Sequence, residues 1–125
     1  MKKPSNPKER NLLKGAIRRV FSRSDLRVAA LLATRIEHFD ENRPRVTKWS
    51  WCMDCGVLEP TYAMQVDHLE PLIPLNTALE DMSWDEVVNR AWCELDNLRP
   101  LCKPCHKEKT KAENKERRRL KKERT

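Results

Sequence analysis

Glycine is nearly absent from this chain, and long apolar runs do not occur in it. With only two glycines in 125 residues, the sequence has neither a glycine-rich phosphate-binding loop nor the Gly-x-Ser-x-Gly turn that presents a serine nucleophile. No apolar run reaches the roughly 18 residues that suggest a membrane-spanning helix. The basic first residues are not followed by the apolar core of a signal peptide. We therefore expect a chain that stays in a reducing cytoplasm and has no membrane partner.

Cysteine, in contrast, occurs in a regular pattern. Cys52 and Cys55 form one Cys-x-x-Cys pair, and Cys102 and Cys105 form a second. In a reducing compartment such pairs indicate metal ligands more than disulfides, and the two-residue spacing lets both sulfurs of a pair reach one tetrahedral ion. The pattern predicts one structural Zn²⁺ held by all four residues, ahead of a redox pair or a metal-free state. Cys93, the fifth cysteine, is interpreted as a buried thiol in a short apolar run.

Composition and periodicity predict a small α+β domain. Hydrophobic residues make up 38% of the chain and charged residues 36%, so the core is modest and a zinc ion would help to hold it. The hydrophobic periodicity predicts helices over residues 9–21, 25–39, 84–91 and 107–122, and strands or extended segments over 47–51, 62–66 and 95–101. Ser24 is a predicted helix cap, and Ser83 with Glu86 forms a predicted capping box. Residues 1–8 are predicted to be disordered.

Positive charge is concentrated at the two ends of the chain. Residues 1–25 carry eight Lys and Arg against two acidic residues, and residues 106–125 carry ten against four. Residues 26–105 carry eight against thirteen, a net charge of −5. Two basic ends around an acidic middle indicate a polyanionic partner such as nucleic acid. Solvated tails explain the charge about equally well, so charge by itself leaves both interpretations open.

Four polar residues near the cysteine pairs are candidates for chemistry. Asp67 and His68 end a predicted strand. A carboxylate holds a hard divalent cation, and an imidazole with a pKa near ~6.5 can take a proton from water. Taken alone, the two are more simply a solvated pair at a strand end. Asn97 is placed to cap a turn that faces this strand, and His106 is restrained by the zinc ligand that precedes it.

Two stretches carry a resemblance to a known family. They are Val-Asp-His-Leu-Glu-Pro at residues 66–71 and Asp-Asn-Leu-Arg-Pro-Leu-Cys-Lys-Pro-Cys-His-Lys-Glu-Lys-Thr at residues 96–110. With the first cysteine pair, they resemble the HNH endonucleases, the ββα-metal or His-Me finger class of nucleases, over residues 49–112. The cysteine pairs, Asp-His, Asn and Cys-His occur in the family's order. The helix that begins at Trp84 and the Lys109-Thr110 ending are most similar to small phage-encoded HNH nucleases.

The resemblance implies a role for each motif residue. His68 would be the general base that activates water, and Asn97 would brace the loop that orients it. Asp67 and His106 would bind a catalytic divalent ion such as Mg²⁺ or Mn²⁺. The structural zinc ligands would be Cys52, Cys55, Cys102 and Cys105. The residues proposed to hold the nucleic acid are Arg99, Lys103, Lys107 and Lys109. Ordinary surface charge is the slightly favoured interpretation of Arg99, Lys103 and Lys107 when each is taken singly.

The resemblance also implies an organisation and an activity. Residues 1–45 would form a basic tail and helical segment that match no family motif. Residues 46–125 would form the nuclease domain, a ββα-metal core with a four-cysteine zinc and a basic C-terminal helix. The activity would be DNA hydrolysis that leaves 5′-phosphate and 3′-hydroxyl ends, with little sequence preference. Terminase subunits or a second copy of the chain are candidate partners, in the host cytoplasm if the protein is phage-encoded.

Two other functions use part of the same pattern. A non-catalytic zinc-knuckle module that binds nucleic acid explains the cysteines and the basic ends. A zinc-dependent protein-interaction module explains only the cysteines and leaves the paired basic ends without a role. Only the four residues Asp67, His68, Asn97 and His106 distinguish a nuclease from these alternatives.

Overall fold

Four α-helices and two small antiparallel sheets make up residues 6–124, the part of the chain that a computed structural model describes. The helices are α1 (Pro7–Phe21), α2 (Asp25–Leu32), α3 (Trp84–Ala91) and α4 (Lys103–Arg124). The strands are β1 (Arg35–Ile36), β2 (Trp49–Trp51), β3 (Leu58–Pro60), β4 (Gln65–His68) and β5 (Leu98–Leu101). Single 3-10 turns lie at Thr61–Ala63, Leu79–Asp81 and Leu95–Asn97. The predicted α+β class is confirmed.

The predicted helix starts are confirmed at α2 and α3. The Ser24 hydroxyl accepts a hydrogen bond from the Arg27 N–H, which caps α2. At α3, Ser83 and Glu86 form the full capping box, with each side chain bonded to the other residue's backbone. Helix α1 begins at Pro7, so the predicted disorder is wrong for residues 7 and 8, and residues 1–5 lie outside the described part of the chain.

The second predicted helix is too long. It was expected to continue to residue 39, but α2 ends at Leu32 and the chain turns into β1. Arg35 pairs with Ser50, and Ile36 pairs with Trp49. Sheet hydrogen bonds therefore replace the helical ones there, since tertiary pairing outweighs a weak local preference for helix.

Three further boundaries shift near the candidate site. The predicted strand 62–66 begins as a 3-10 turn and becomes β4 only at Gln65, so β4 includes Asp67 and His68. The extended segment 95–101 likewise begins as a 3-10 turn before β5. The last helix starts at Lys103 instead of 107, which places Cys105 and His106 in its first turns.

The sheets and the apolar clusters join elements that lie far apart along the chain. β1, β2 and β3 form one antiparallel sheet, and β4 pairs with β5 in the other, with Asp67 opposite Arg99. One apolar cluster lies beneath the cysteines and contains Leu31, Met64 and Leu101. A second joins α3 to the loop before it and receives Ile17 from α1. None of the helices within residues 6–124 is both long and apolar enough to cross a membrane.

Candidate metal centre and adjoining cleft

The four paired cysteines converge on one point. Their sulfur atoms all lie within 4.8 Å of one another. A tetrahedral ion ~2.3 Å from each sulfur requires the sulfurs to be about 3.8 Å apart, and Cys55 Sγ lies 3.7 Å from Cys102 Sγ. Gly56 provides the positive φ, 79°, that closes the first turn. The cluster can therefore hold a structural metal ion such as zinc, as the cysteine spacing predicts.

The protonation of these thiols also fits a cation. Burial raises the pKa of Cys52, but hydrogen bonds from Cys102, Cys55 and Asp54 outweigh burial and lower it to about 6. Burial raises the pKa of Cys102, and a hydrogen bond with Cys102 raises the pKa of Cys105. One thiolate forms readily and makes its neighbours harder to ionise, so four thiolates need a bound cation. Cys93 is half-buried against the apolar cluster of Phe21, Ala30 and Leu98 and takes no part in the cysteine cluster.

Asp67 and His106 meet directly beside the cysteine cluster. Asp67 Oδ1 lies 3.7 Å from His106 Nε2, with side chains 13% and 36% exposed. His106 follows Cys105 in α4, and its N–H donates to the Cys102 carbonyl at 2.9 Å. The two side chains are therefore close enough for one divalent ion to contact both. The cysteine cluster holds the start of α4 and so sets the position of His106.

Lys109 occupies the other side of Asp67. Its ammonium lies 2.6 Å from Asp67 Oδ2 and 3.1 Å from Glu113 Oε1, and it donates to the His68 carbonyl at 3.1 Å. Burial alone would lower the pKa of Lys109, but the two carboxylates raise it. Asp67 Oδ2 is shielded from solvent and has no other hydrogen-bond partner among the described residues, so the ion pair with Lys109 is its main polar contact. Lys109, a predicted nucleic-acid contact, is thus bound to carboxylates within the protein.

A hydrogen bond at Nε2 fixes the ring of His68. Its Nε2 lies 2.9 Å from the Ala91 carbonyl oxygen, at the end of α3. A carbonyl only accepts hydrogen bonds, so in the neutral ring Nε2 carries the proton and Nδ1 is the free base. The Phe21 ring packs beside the imidazole, with 4.9 Å between the ring centroids. α3 and α1 therefore fix the orientation of this histidine, which its sequence context does not indicate.

Asn97 braces the turn that follows His68. Its Oδ1 accepts a hydrogen bond from the Glu70 N–H at 2.8 Å, and its backbone carbonyl accepts one from the Leu69 N–H at 2.7 Å. These two bonds tie the end of β4 to the start of β5. The geometry is the one expected of a residue that fixes the loop facing the Asp67 and His68 strand.

A cavity of about 730 Å³ opens onto these residues. Asp67, His68 and His106 all line it, although Asp67 and His68 are neighbours in a strand and would alternate if β4 continued. The other candidate cations lie outside it. Arg99 is half-buried and donates to the Met53 carbonyl at 3.2 Å, and Lys103 is exposed at the start of α4. Lys107 lines a shallow groove on α4 that adjoins the cavity at His106.

Four cations that line the cavity were not singled out from the sequence. They are Lys14 and Arg18 of α1, Arg27 of α2 and Arg117 of α4. On α1 they form part of a charge run that resembles an ordinary solvated face. The available signal was that Lys14 and Arg18 are four residues apart and therefore share one side of the helix.

Comparison with known proteins identifies no relative of this chain. A scan against models of protein families finds no match, and searches of curated proteins and of solved structures find no significant match. The inference of function therefore depends on the chain's own residues.

Proposed function

We propose that this protein is a metal-dependent DNA endonuclease of the HNH type, with a ββα-metal core formed by β4, β5 and the start of α4. The observation that carries the proposal is the 3.7 Å approach of Asp67 Oδ1 to His106 Nε2, in the cavity that also contains His68. A carboxylate and an imidazole that can share an ion, with a second imidazole in the same cleft as a base, can supply the chemistry of phosphodiester hydrolysis.

Two metal ions belong to this proposal. Cys52, Cys55, Cys102 and Cys105 would hold structural Zn²⁺. Asp67 and His106 would hold a divalent ion such as Mg²⁺ or Mn²⁺, which when bound neutralises phosphate charge and stabilises the leaving oxygen. The donor set fits, because Asp67 Oδ1 and His106 Nε2 face each other without a hydrogen bond that occupies either atom among the described residues.

His68 would act as the general base. Its Nδ1 is the unprotonated nitrogen of the neutral ring, because Nε2 donates to the Ala91 carbonyl. When Nδ1 takes a proton from water, Nε2 keeps its hydrogen bond to the Ala91 carbonyl, so the ring stays in place. Asn97 would keep the following turn fixed through Glu70 and Leu69, and Phe21 would shield one side of the ring. The products would carry 5′-phosphate and 3′-hydroxyl ends.

The basic face of α4 would bind the nucleic-acid backbone. A shallow groove along this helix is lined by His106, Lys107, Thr110, Lys111, Asn114 and Arg118. It begins at His106, the residue proposed to hold the catalytic ion. A phosphate backbone in this groove would therefore pass directly over the cleft.

One observation favours the non-catalytic alternative, a zinc module that only binds nucleic acid. The Lys109 ammonium already neutralises Asp67 at 2.6 Å, so the carboxylate does not need a metal ion. In the nuclease, Lys109 and the ion would share Asp67, with Lys109 on Oδ2 and the ion on Oδ1. The two functions are separated by cleavage and by the response of this site to divalent ions.

The proposed activity predicts plasmid cleavage by the zinc-loaded protein. We expect supercoiled DNA to be nicked or linearised in Mg²⁺, Mn²⁺ or Ni²⁺, and an excess of chelator to stop the reaction. Asp67→Asn should bind DNA but cut it far more slowly, because the amide is a poorer ligand than a carboxylate. Nicked circles alone indicate a monomer, whereas direct linearisation indicates a dimer or a partner. DNA binding without cleavage under all three ions would refute the nuclease and leave the binding module.

Replacing Lys109 by methionine should destabilise the protein in a way that a divalent ion repairs. The change leaves the Asp67 carboxylate partly buried without its counter-charge, which costs about 1–3 kcal/mol, so the melting temperature should fall by several degrees. Added Mn²⁺ should then raise the melting temperature of Lys109→Met more than that of the wild type, because the ion takes over the neutralisation of Asp67.

The matched control is Lys107→Met, the same change at an exposed position on the same helix. It should neither lower the melting temperature nor alter the response to Mn²⁺. Thermal unfolding of zinc-loaded protein, titrated with Mn²⁺, measures both effects. If Mn²⁺ stabilises neither the wild type nor Lys109→Met, Asp67 and His106 do not bind the ion; equal stabilisation of the two would mean that the ion does not take over the neutralisation of Asp67.

A further inference from the structure

The cavity has a cationic wall that the proposed chemistry does not use. Lys14 and Arg18 come from α1, Arg27 from α2 and Arg117 from α4. Lys14 and Arg18 lie on the same side of α1 as Ile17, which packs into the α3 cluster, and Phe21, which contacts His68. The packing of α1 therefore turns these two cations towards the cleft that contains Asp67, His68 and His106.

These cations lack acidic partners. Within residues 6–124, no ion pair or hydrogen bond is formed by the side chains of Lys14, Arg18 or Arg27. The acidic groups that line the cavity, Asp67 and Glu113, are both bound to Lys109. The positive charge on the α1 wall is thus left uncompensated.

Arg117 adds a fixed guanidinium to the same wall. It donates hydrogen bonds to the Ile73 carbonyl at 2.7 Å and to the Pro74 carbonyl at 3.3 Å. Burial lowers the pKa of Lys14, and the charges of Arg18 and Arg117 lower it further. A half-buried ammonium beside like charges opposes folding, and such an arrangement is typical of sites where a ligand supplies the opposite charge.

We propose that Lys14 and Arg18, together with Arg117, bind a phosphate of the nucleic acid other than the one that is cut, so that α1 forms one wall of the substrate site. A guanidinium binds phosphate oxygens through paired N–H groups, and an ammonium adds a point charge. The cavity of about 730 Å³ lies within the range of about 300–1,000 Å³ that is usual for ligand sites. The proposal rests on the proposed function for the identity of the ligand, and it assigns a role to residues 1–45, which match no motif.

The test compares two double variants that each remove two positive charges from α1. Lys14→Gln/Arg18→Gln changes the wall of the cavity, and Lys8→Gln/Arg19→Gln changes exposed positions of the same helix that do not line it. Glutamine removes the charge but keeps a polar side chain and a similar helix preference in both variants. Binding to a short labelled DNA duplex is measured without divalent ions, over a series of salt concentrations.

We expect the cavity variant to bind the duplex at least about tenfold more weakly at low salt, with a salt slope shallower by about 0.9, the value for one phosphate that is no longer neutralised. The surface variant should retain wild-type affinity and slope. The melting temperature of the cavity variant should be equal to or higher than that of the wild type, because a repulsion has been removed. A cavity variant that is folded, binds DNA more weakly and has the shallower salt slope supports the proposed phosphate site.

Three outcomes would overturn it. Equal weakening in both variants would mean diffuse attraction by the whole helix, and no weakening in either would mean that the wall does not contact DNA. Inorganic phosphate that stabilises the wild type but not the cavity variant, without any duplex binding, would mean a site for the free ion. Binding is measured without divalent ions, so it is independent of cleavage. If the protein binds DNA through this wall but never cuts it, the proposed nuclease activity is refuted and the binding wall stands. If the wild type cuts DNA and Lys14→Gln/Arg18→Gln binds the duplex as well as the wild type, this inference is refuted and the nuclease activity stands.

Discussion

Replacing His68 by alanine should reduce the rate of plasmid cleavage by about 10²–10⁴-fold while leaving DNA binding intact. His68 is the residue in the cleft whose free ring nitrogen is proposed to accept the proton of the attacking water, because its Nε2 is committed to the Ala91 carbonyl. The side chain carries no charge in this state and is not part of the cationic wall, so its removal takes away no phosphate-binding group. The effect should fall on the maximal rate and leave the dissociation constant for DNA near the wild-type value.

His38→Ala is the matched control for this experiment. His38 is exposed and packs edge-on against Trp49, with 5.0 Å between the ring centroids, and it does not line the cavity. Cleavage by His38→Ala should equal that of the wild type. Substantial cleavage by a folded, zinc-loaded His68→Ala protein would exclude His68 as the base, even if the nuclease activity itself is real.

Cys102→Ser should unfold or strongly destabilise the protein and remove its zinc. Structural zinc contributes about 10–16 kcal/mol of binding free energy in small zinc domains, which is comparable to the whole stability of a domain, about 5–15 kcal/mol. Cys102 is buried, and its carbonyl also receives the His106 N–H at 2.9 Å. Even a loss of about 3 kcal/mol would lower the melting temperature by about 10 °C or more.

Cleavage should disappear together with the proposed zinc, although that ion is assigned no chemistry on DNA. Loss of the cluster frees the start of α4, and with it His106, which the proposed catalytic ion requires in place beside Asp67. Cys93→Ser is the control, since Cys93 lies outside the cluster. It should keep its full zinc content and its activity. An unchanged zinc content and melting temperature in Cys102→Ser would argue against a four-cysteine site.

Local signals in the sequence predict much of this structure. The two Cys-x-x-Cys pairs predict a shared metal centre, and the sulfurs do converge within 4.8 Å. The Ser24 cap and the Ser83 capping box predict the starts of α2 and α3 correctly. Each of these features depends on residues a few positions apart, where the chain geometry leaves little freedom. The helix over residues 25–39 was overestimated for the complementary reason, because β1 depends on pairing with β2, far along the chain.

The stretch from Cys102 to His106 illustrates what the sequence by itself determined. It predicts a metal ligand pair followed at once by a histidine with a restrained position, and the pairing of β4 with β5 places that histidine beside Asp67. The proposal of a nuclease depends on this approach of His106 to Asp67 in the cavity that also contains His68. Periodicity, caps and ligand spacing suffice for this much because they are local properties of the chain.

Only the tertiary structure decided which partners these residues meet. Lys109 pairs with Asp67, Nε2 of His68 is bound to Ala91, and the α1 cations face the cleft. None of these contacts has a signature in the sequence, because each joins elements that are distant along the chain. They follow from how α1 packs on α3 and from how α4 leaves the cysteine cluster. That packing is set by apolar burial, which brings polar side chains together without encoding which ones will meet.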